Sequence, residues 1–200
     1  MCFYTRSCKR AAVAQKGTDV HPNELRTDEQ IFALLTSARR IAVLGIKTEA
    51  QAEQAAYYVP KYMADAGYDI VPVPVYYPDV TTILGRPVYR RVADAPPPID
   101  IVNVFRKSAD VASHTDDILA ARPRAVWLQQ GIRDDAVADV LARAGIQIVQ
   151  DACILVMHAA SAPSIRTTAR RRAARRDAHA RGRRCHAGQM PGHGDPRAGG

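Results

Sequence analysis

Four short stretches of this chain carry residue types suited to a phosphorylated ligand. They are GIKTEA (45–50), PVPVYYPD (72–79), NVFRKS (103–108) and LQQGIRDD (128–135). In the first, Lys47 and the amides of a turn at a helix start can meet phosphate, because the N–H groups there lack intrahelical partners. In the third, Arg106 and Lys107 add positive charge just past an apolar run, and Phe105 adds an apolar surface. Guanidinium groups bind phosphate through charge-assisted, often paired, hydrogen bonds. In the second, alternating Val and Pro followed by two tyrosines offers stiff walls and aromatic faces for a flat base. Each stretch alone has a plainer reading: a strand end, a solvated charge pair, or packing tyrosines. Together they describe a site for a nucleotide-like ligand.

They form one site only if the fold brings them to one edge. IAVLG (41–45) and IDIVNVF (99–105) are apolar runs of the kind that strands buried on both faces require. YDIVPV, AVWLQ and IQIVQ supply three more. Helical stretches alternate with them. TDEQIFALLTSARR opens with Thr27 and Gln30 at capping-box spacing, and Ile31, Leu34, Leu35 and Ala38 make its apolar stripe. AEQAAYYVPKYMADAG ends at Gly67, with Pro60 placed early. SADVASHTDDILAAR is expected to start from a Ser108 cap, and RDDAVADVLARAG follows. Strands alternating with helices imply right-handed crossovers and a parallel sheet. The expected class is α/β: a Rossmann-like, doubly wound, mostly parallel sheet of five strands, with a sixth short one near Pro87–Tyr89. In such sheets ligands bind outside the carboxyl ends of the strands, where all four stretches would lie. Trp127, in AVWLQ, is expected to pack a helix against the sheet.

The same positions argue against a dinucleotide. The dinucleotide turn needs three glycines for close approach to pyrophosphate, and an acid at the end of the second strand for the ribose. Here the corresponding turn offers Gly45, Lys47 and Ala50, and the second strand runs into IVPVPV with no acid before Asp79. A ligand without a tightly held ribose diol fits better.

At this point the chain resembles a known family. IAVLGIK, YYVPKYMADAGYDIVPV, ILGRPVYRRVADAPPPIDIVNVFRKSADV and AVWLQQGIRDDAVADVLARAGIQIVQDACILVMH are similar, in order and spacing, to the small stand-alone CoA-binding domain proteins. These in turn resemble the CoA-binding domain of the succinyl-CoA synthetase α subunit. The resemblance covers about Thr27 to His158. It implies a coenzyme A or acyl-CoA ligand, bound non-covalently. Gly45, Ile46 and Lys47 would stand against the phosphates, with Val73, Pro74 and Val75 on the adenine side. Val104, Phe105 and Arg106 would form the opposing wall, with Gln129, Gln130 and Gly131 at the rim. The chain departs from the family at two points. Lys47 stands where a small hydroxyl residue is usual, without the following proline and arginine, and PVYYP replaces an Asn-Pro.

Composition bounds the remaining readings. The net charge is +8, but ten of the 28 basic and two of the 20 acidic residues fall in 159–200, leaving 18 of each in 1–158. The body is neutral and the tail is basic. The expected organisation is a flexible leader (1–26), the CoA-binding domain (27–158) and a disordered Arg-rich tail (159–200). In that tail Ile165 and Met190 are the strongly apolar side chains, too few to offset chain entropy. A shifted reading frame would leave the same kind of tail. The four cysteines show no CxxC and no zinc-ligand spacing. No apolar run approaches the roughly 18 residues of a membrane span, and the N-terminus lacks a secretory core, so the cytoplasm is expected. His114 has no neighbouring nucleophile or orienting acid in the sequence, and Cys153 has nothing nearby to lower its pKa. The chain therefore reads as a binder rather than an enzyme, with a homodimer left open. The competing readings are an oxidoreductase-like protein binding NAD(P) or another adenine nucleotide, and an interaction protein whose basic tail binds nucleic acid.

Overall fold

Residues 21–161 are described by a computed structural model. Their main element is a five-stranded parallel sheet built from β1 (Arg40–Leu44), β2 (Asp69–Val73), β5 (Ile101–Val104), β6 (Ala125–Leu128) and β7 (Gln147–Val149). The spatial order is β2-β1-β5-β6-β7, with every neighbouring pair parallel. The chain steps outward from β1 to β2, then returns to β5 on the other side of β1. The strand order thus reverses between β1 and β5, which opens a crevice at their carboxyl ends. This is the α/β, Rossmann-like arrangement expected from the sequence.

The unbroken apolar character of β1 follows from burial on both faces. Ile41 and Val43 join the core under α1 (Asp28–Ser37), α2 (Ala55–Asp65) and a helical segment at 154–161. Ala42 and Leu44 join the opposite core, under α3 (Ser108–Val111), α4 (Thr115–Ala121) and α5 (Asp135–Arg143). Trp127 is fully buried in the first core, and its indole Nε1 donates to Ala152 O at 2.7 Å.

Local chemistry sets the helix ends. At α1 the capping box forms as read: Thr27 Oγ1 accepts the Gln30 amide at 3.4 Å, and Gln30 Oε1 accepts the Thr27 amide at 3.3 Å. At α5 the Asp134 carboxylate accepts the Val137 amide. The single helix expected from SADVASHTDDILAAR is instead α3, a 3-10 turn (Ala112–His114) and α4. Ser108 is the first helical residue rather than the cap, because its hydroxyl is used elsewhere, accepting the Arg133 amide at 3.1 Å.

The strand expected near Pro87–Tyr89 does not join the main sheet. β3 (Thr82–Ile83) and β4 (Arg86–Pro87) form their own antiparallel ribbon, turning at Leu84 and Gly85, both with positive φ. Pro87 has no N–H to give a ladder, and the Tyr89 amide makes the connection to the edge of β2 by donating to Pro72 O at 2.9 Å. At the other edge, residues 23–25 lie along β7. Asn23 O accepts the Ile148 amide at 2.8 Å, and the Leu25 amide donates to Ile148 O at 2.7 Å. Within the described residues the chain is therefore engaged slightly before the Thr27 boundary drawn from sequence. The rest of the leader and nearly all of the Arg-rich tail lie outside the described residues. Among those described, no helix is long and apolar enough to cross a membrane.

Candidate functional site

Gly45 ends β1 and determines how closely the rim is built. Its amide donates to Val73 O at 2.8 Å, while Leu44 O accepts the Phe105 amide at 2.9 Å, so the carboxyl ends of β2, β1 and β5 are stitched together. Its φ is +86°, and a Cβ there would lie 2.5 Å from Phe105 O. Glycine is required on both counts. The chain then enters a 3-10 turn (Glu49–Gln51) whose N-cap, Thr48, makes no side-chain cap bond.

Pro60 contributes to this turn from a distance. Inside α2 it offers no N–H, which leaves the carbonyl of Ala56 without its usual helical partner. The Lys47 amide donates to that carbonyl at 3.1 Å. The helix defect thus anchors the turn after β1, and the Lys47 backbone donor is committed to Ala56. Its side chain is what the turn presents.

Lys47 Nζ stands 5.0 Å from the ring centre of Tyr76 and 5.4 Å from that of Tyr77. Among the described residues it pairs with no carboxylate. Arg106 reaches the same tyrosine from β5. Its guanidinium carbon is 5.4 Å from the Tyr76 ring centre, and Nη1 donates to Tyr76 Oη at 3.2 Å. Nη2 donates to Asp110 at 3.0 Å, while Nε is buried without a partner among the described residues. The Arg106 hydrogen bond, then its charge, lowers the Tyr76 pKa below the ordinary tyrosine value. Tyr76 itself is 55% exposed, so two cations share one aromatic ring open to solvent.

Beside them lies a cavity of about 300 Å³. Leu44, Pro74, Val75 and Pro78 form its apolar walls, and Tyr76, Arg90, His114 and Asp117 its polar ones. Arg90 is turned onto the loop, donating to the carbonyls of Tyr77, Pro78 and Val80 at 3.0, 2.7 and 2.7 Å. Asp117 accepts the Val92 and Ala93 amides and Arg91 Nε. The His114 pKa is lowered, chiefly by burial and next by the Arg106 charge, so its neutral imidazole is favoured.

The sequence-selected residues divide accordingly. Gly45, Lys47, Phe105 and Arg106 meet at the switch point, and Pro74 and Val75 line the adjacent cavity. Ile46, Val73 and Val104 are at most 1% exposed, so their side chains belong to the core. Gln129 is also buried, and its Nε2 donates to Asn103 Oδ1 at 2.8 Å. Asn103 Nδ2 is buried without a partner among the described residues. Gln130 and Gly131 are exposed on the loop after β6, where the Gly131 amide donates to the Asp151 carboxylate at 2.7 Å.

Comparison with known proteins settles the family. The family model described as CoA binding domain matches residues 39–159. The chain belongs to this CoA-binding domain family. The Bacillus subtilis (strain 168) protein YneT is 33% identical over 130 residues, 65% of this chain and 93% of that protein. A solved structure from Thermus thermophilus is 35% identical with a TM-score of 0.62, covering 68% of this chain and 99% of that one. Another, from Pyrococcus horikoshii OT3, is 29% identical with a TM-score of 0.60, covering 66% and 90%.

In this CoA-binding domain, the four polar residues of the cavity, Tyr76, Arg90, His114 and Asp117, were not selected from sequence. Tyr76 was visible only as part of an aromatic pair, with nothing to show that it touches both cations. His114 and Asp117 sit on a segment whose helical break carries no strong local signal. Their part in the cavity follows from the packing of that segment under the end of β2.

Proposed function

We propose that this domain binds coenzyme A or an acyl-CoA non-covalently across the carboxyl rim of its sheet, without a catalytic centre of its own. The observation that carries this reading is the meeting of Lys47 and Arg106 at Tyr76, beside a cavity walled by Pro74 and Val75. The cations suit the phosphates, through charge-assisted bonds. The apolar walls suit the base, and the exposed Gln130 and Gly131 after β6 lie along the rim for the rest of the ligand. Membership of the CoA-binding domain family supports the same ligand. The absence of an acid at the end of β2, which runs Val73-Pro74-Val75, favours CoA over NAD.

Thermal shift and calorimetry with CoA, NAD, NADP and ATP in parallel test the reading. A ligand that binds only the native state raises stability by RT ln(1 + [L]/Kd), so selectivity appears in the order of the shifts. CoA is expected to give the largest shift. No shift with CoA at millimolar concentration would reject the reading.

A further inference from the structure

We propose that Asp117 reads the exocyclic amino group of the ligand's purine, and so selects the base. This rests on the CoA reading above and names the group that selects within it.

An ionised carboxylate offers about four acceptor positions, two on each oxygen. On Asp117, Oδ1 accepts the Ala93 amide at 3.1 Å and Arg91 Nε at 3.3 Å, while Oδ2 accepts the Val92 amide at 2.8 Å. One position, on Oδ2, is open. The three bonds hold the carboxylate in place at the start of the 3-10 turn Val92–Asp94, so it is a fixed acceptor rather than a swinging one. Its side chain is 16% exposed and lines the same cavity as Pro74 and Val75.

The walls of the cavity favour the base over the phosphates. Leu44, Pro74, Val75 and Pro78 make them largely apolar, and Arg90, the cation among them, already spends its donors on the carbonyls of Tyr77, Pro78 and Val80. The base enters the cavity and the phosphates stay at the switch point. Within the cavity the open acceptor needs a donor. Adenine brings an amino group at C6, whereas hypoxanthine brings a carbonyl oxygen there and would set acceptor against acceptor. A bond to a charged group contributes more than a neutral one, on the order of tenfold or more in affinity.

The test is calorimetric titration of the full chain with CoA and with deamino-CoA, in which hypoxanthine replaces adenine and nothing else changes. The expected result is CoA binding with deamino-CoA at least about tenfold weaker. Asp117→Asn, checked for native circular dichroism, should narrow that gap. Equal affinity for the two ligands would overturn the inference and leave the CoA reading standing. A full gap retained in a folded Asp117→Asn variant would overturn the assignment to Asp117. Failure to bind CoA at all would overturn the underlying reading, and the inference with it. Should that variant not fold, Asp117→Glu, which keeps the charge but displaces the acceptor, is titrated with the same pair, and a full gap retained there would overturn the assignment.

Discussion

At the N-terminal end of the sheet, Arg40 Nε donates to Asp69 at 2.8 Å, and its Nη1 donates to Pro96 O at 2.9 Å. Arg86 approaches the same carboxylate at 3.6 Å, and Asp100 accepts the Arg39 and Arg40 amides at 2.8 and 3.0 Å. At the carboxyl end, Lys47 faces two aromatic rings, and Arg106 divides its donors between a phenol and one half-exposed carboxylate. The same residue types thus do different work. Where each cation meets carboxylates and carbonyls across strands, it closes the edge of the sheet. Where a cation rests on an aromatic face without a carboxylate partner among the described residues, as Lys47 does, an arriving anion gains a strong partner while displacing a weak one.

Four experiments would break or sharpen this contrast. The largest effect is expected at the point that shapes the carboxyl rim. Gly45→Ala places a Cβ against Phe105 O in a left-handed backbone and should destabilise the domain by roughly 2–5 kcal/mol. Denaturant unfolding measures it, and a loss below 1 kcal/mol would show that the rim relaxes easily. Next, Arg106→Ala should weaken CoA binding by about 10–100-fold, as expected for a lost bond to a charged group. Arg40→Ala should leave binding unchanged and reduce stability by about 1 kcal/mol or less, since its pair with Asp69 is partly exposed. Equal effects of the two on affinity would erase the distinction between the ends. Third, Lys47→Ala should reduce affinity less than Arg106→Ala, because a solvated ammonium is a single point charge. It should also flatten the salt dependence of binding measured by calorimetry.

The smallest expected effect concerns pH. Burial lowers the pKa values of His114 and His158 below the ordinary histidine value. Each therefore binds its proton more readily when unfolded, so stability is fully present above about pH 6.5 and declines as pH falls toward the native pKa values. His158, packed between Tyr62 and Tyr68, belongs to the fold rather than the rim. His158→Gln should flatten the acid slope of the melting temperature without altering CoA affinity, whereas His114→Gln should change both. On the alkaline side, burial raises the Tyr68 pKa to about 12. Its contribution is present below pH 10 and is lost as pH rises toward 12, and Tyr68→Phe should remove that loss.

How far the sequence alone could be read depended on the range of the interaction. The Thr27–Gln30 capping box and the apolar run of β1 are decided within a few residues, and they formed where the pattern placed them. Ser108 misled because its hydroxyl finds a partner 25 residues away, at Arg133. The short strand near Pro87–Tyr89 misled because a β-propensity pattern does not say which edge it will meet, and Pro87 cannot donate to one. At the site, charge and aromatic content marked Lys47, Arg106 and the Val-Pro-Val wall. Ile46, Val73 and Val104 came with the family resemblance, and burial of their side chains is a property the sequence does not display.

The sequence by itself determined the alternation of apolar strands and amphipathic helices, and hence a parallel sheet with the four cationic and aromatic stretches at the carboxyl ends of its strands. Hydrophobic periodicity is a local property and needs no partner to be seen. Only the tertiary structure decided that the missing amide of Pro60 anchors Lys47, that Tyr76 meets both cations, and that Asp117 faces the cavity with one acceptor open. Those relations join residues about 10 to 40 positions apart, and their energies depend on distance and direction in space, which spacing along the chain does not contain.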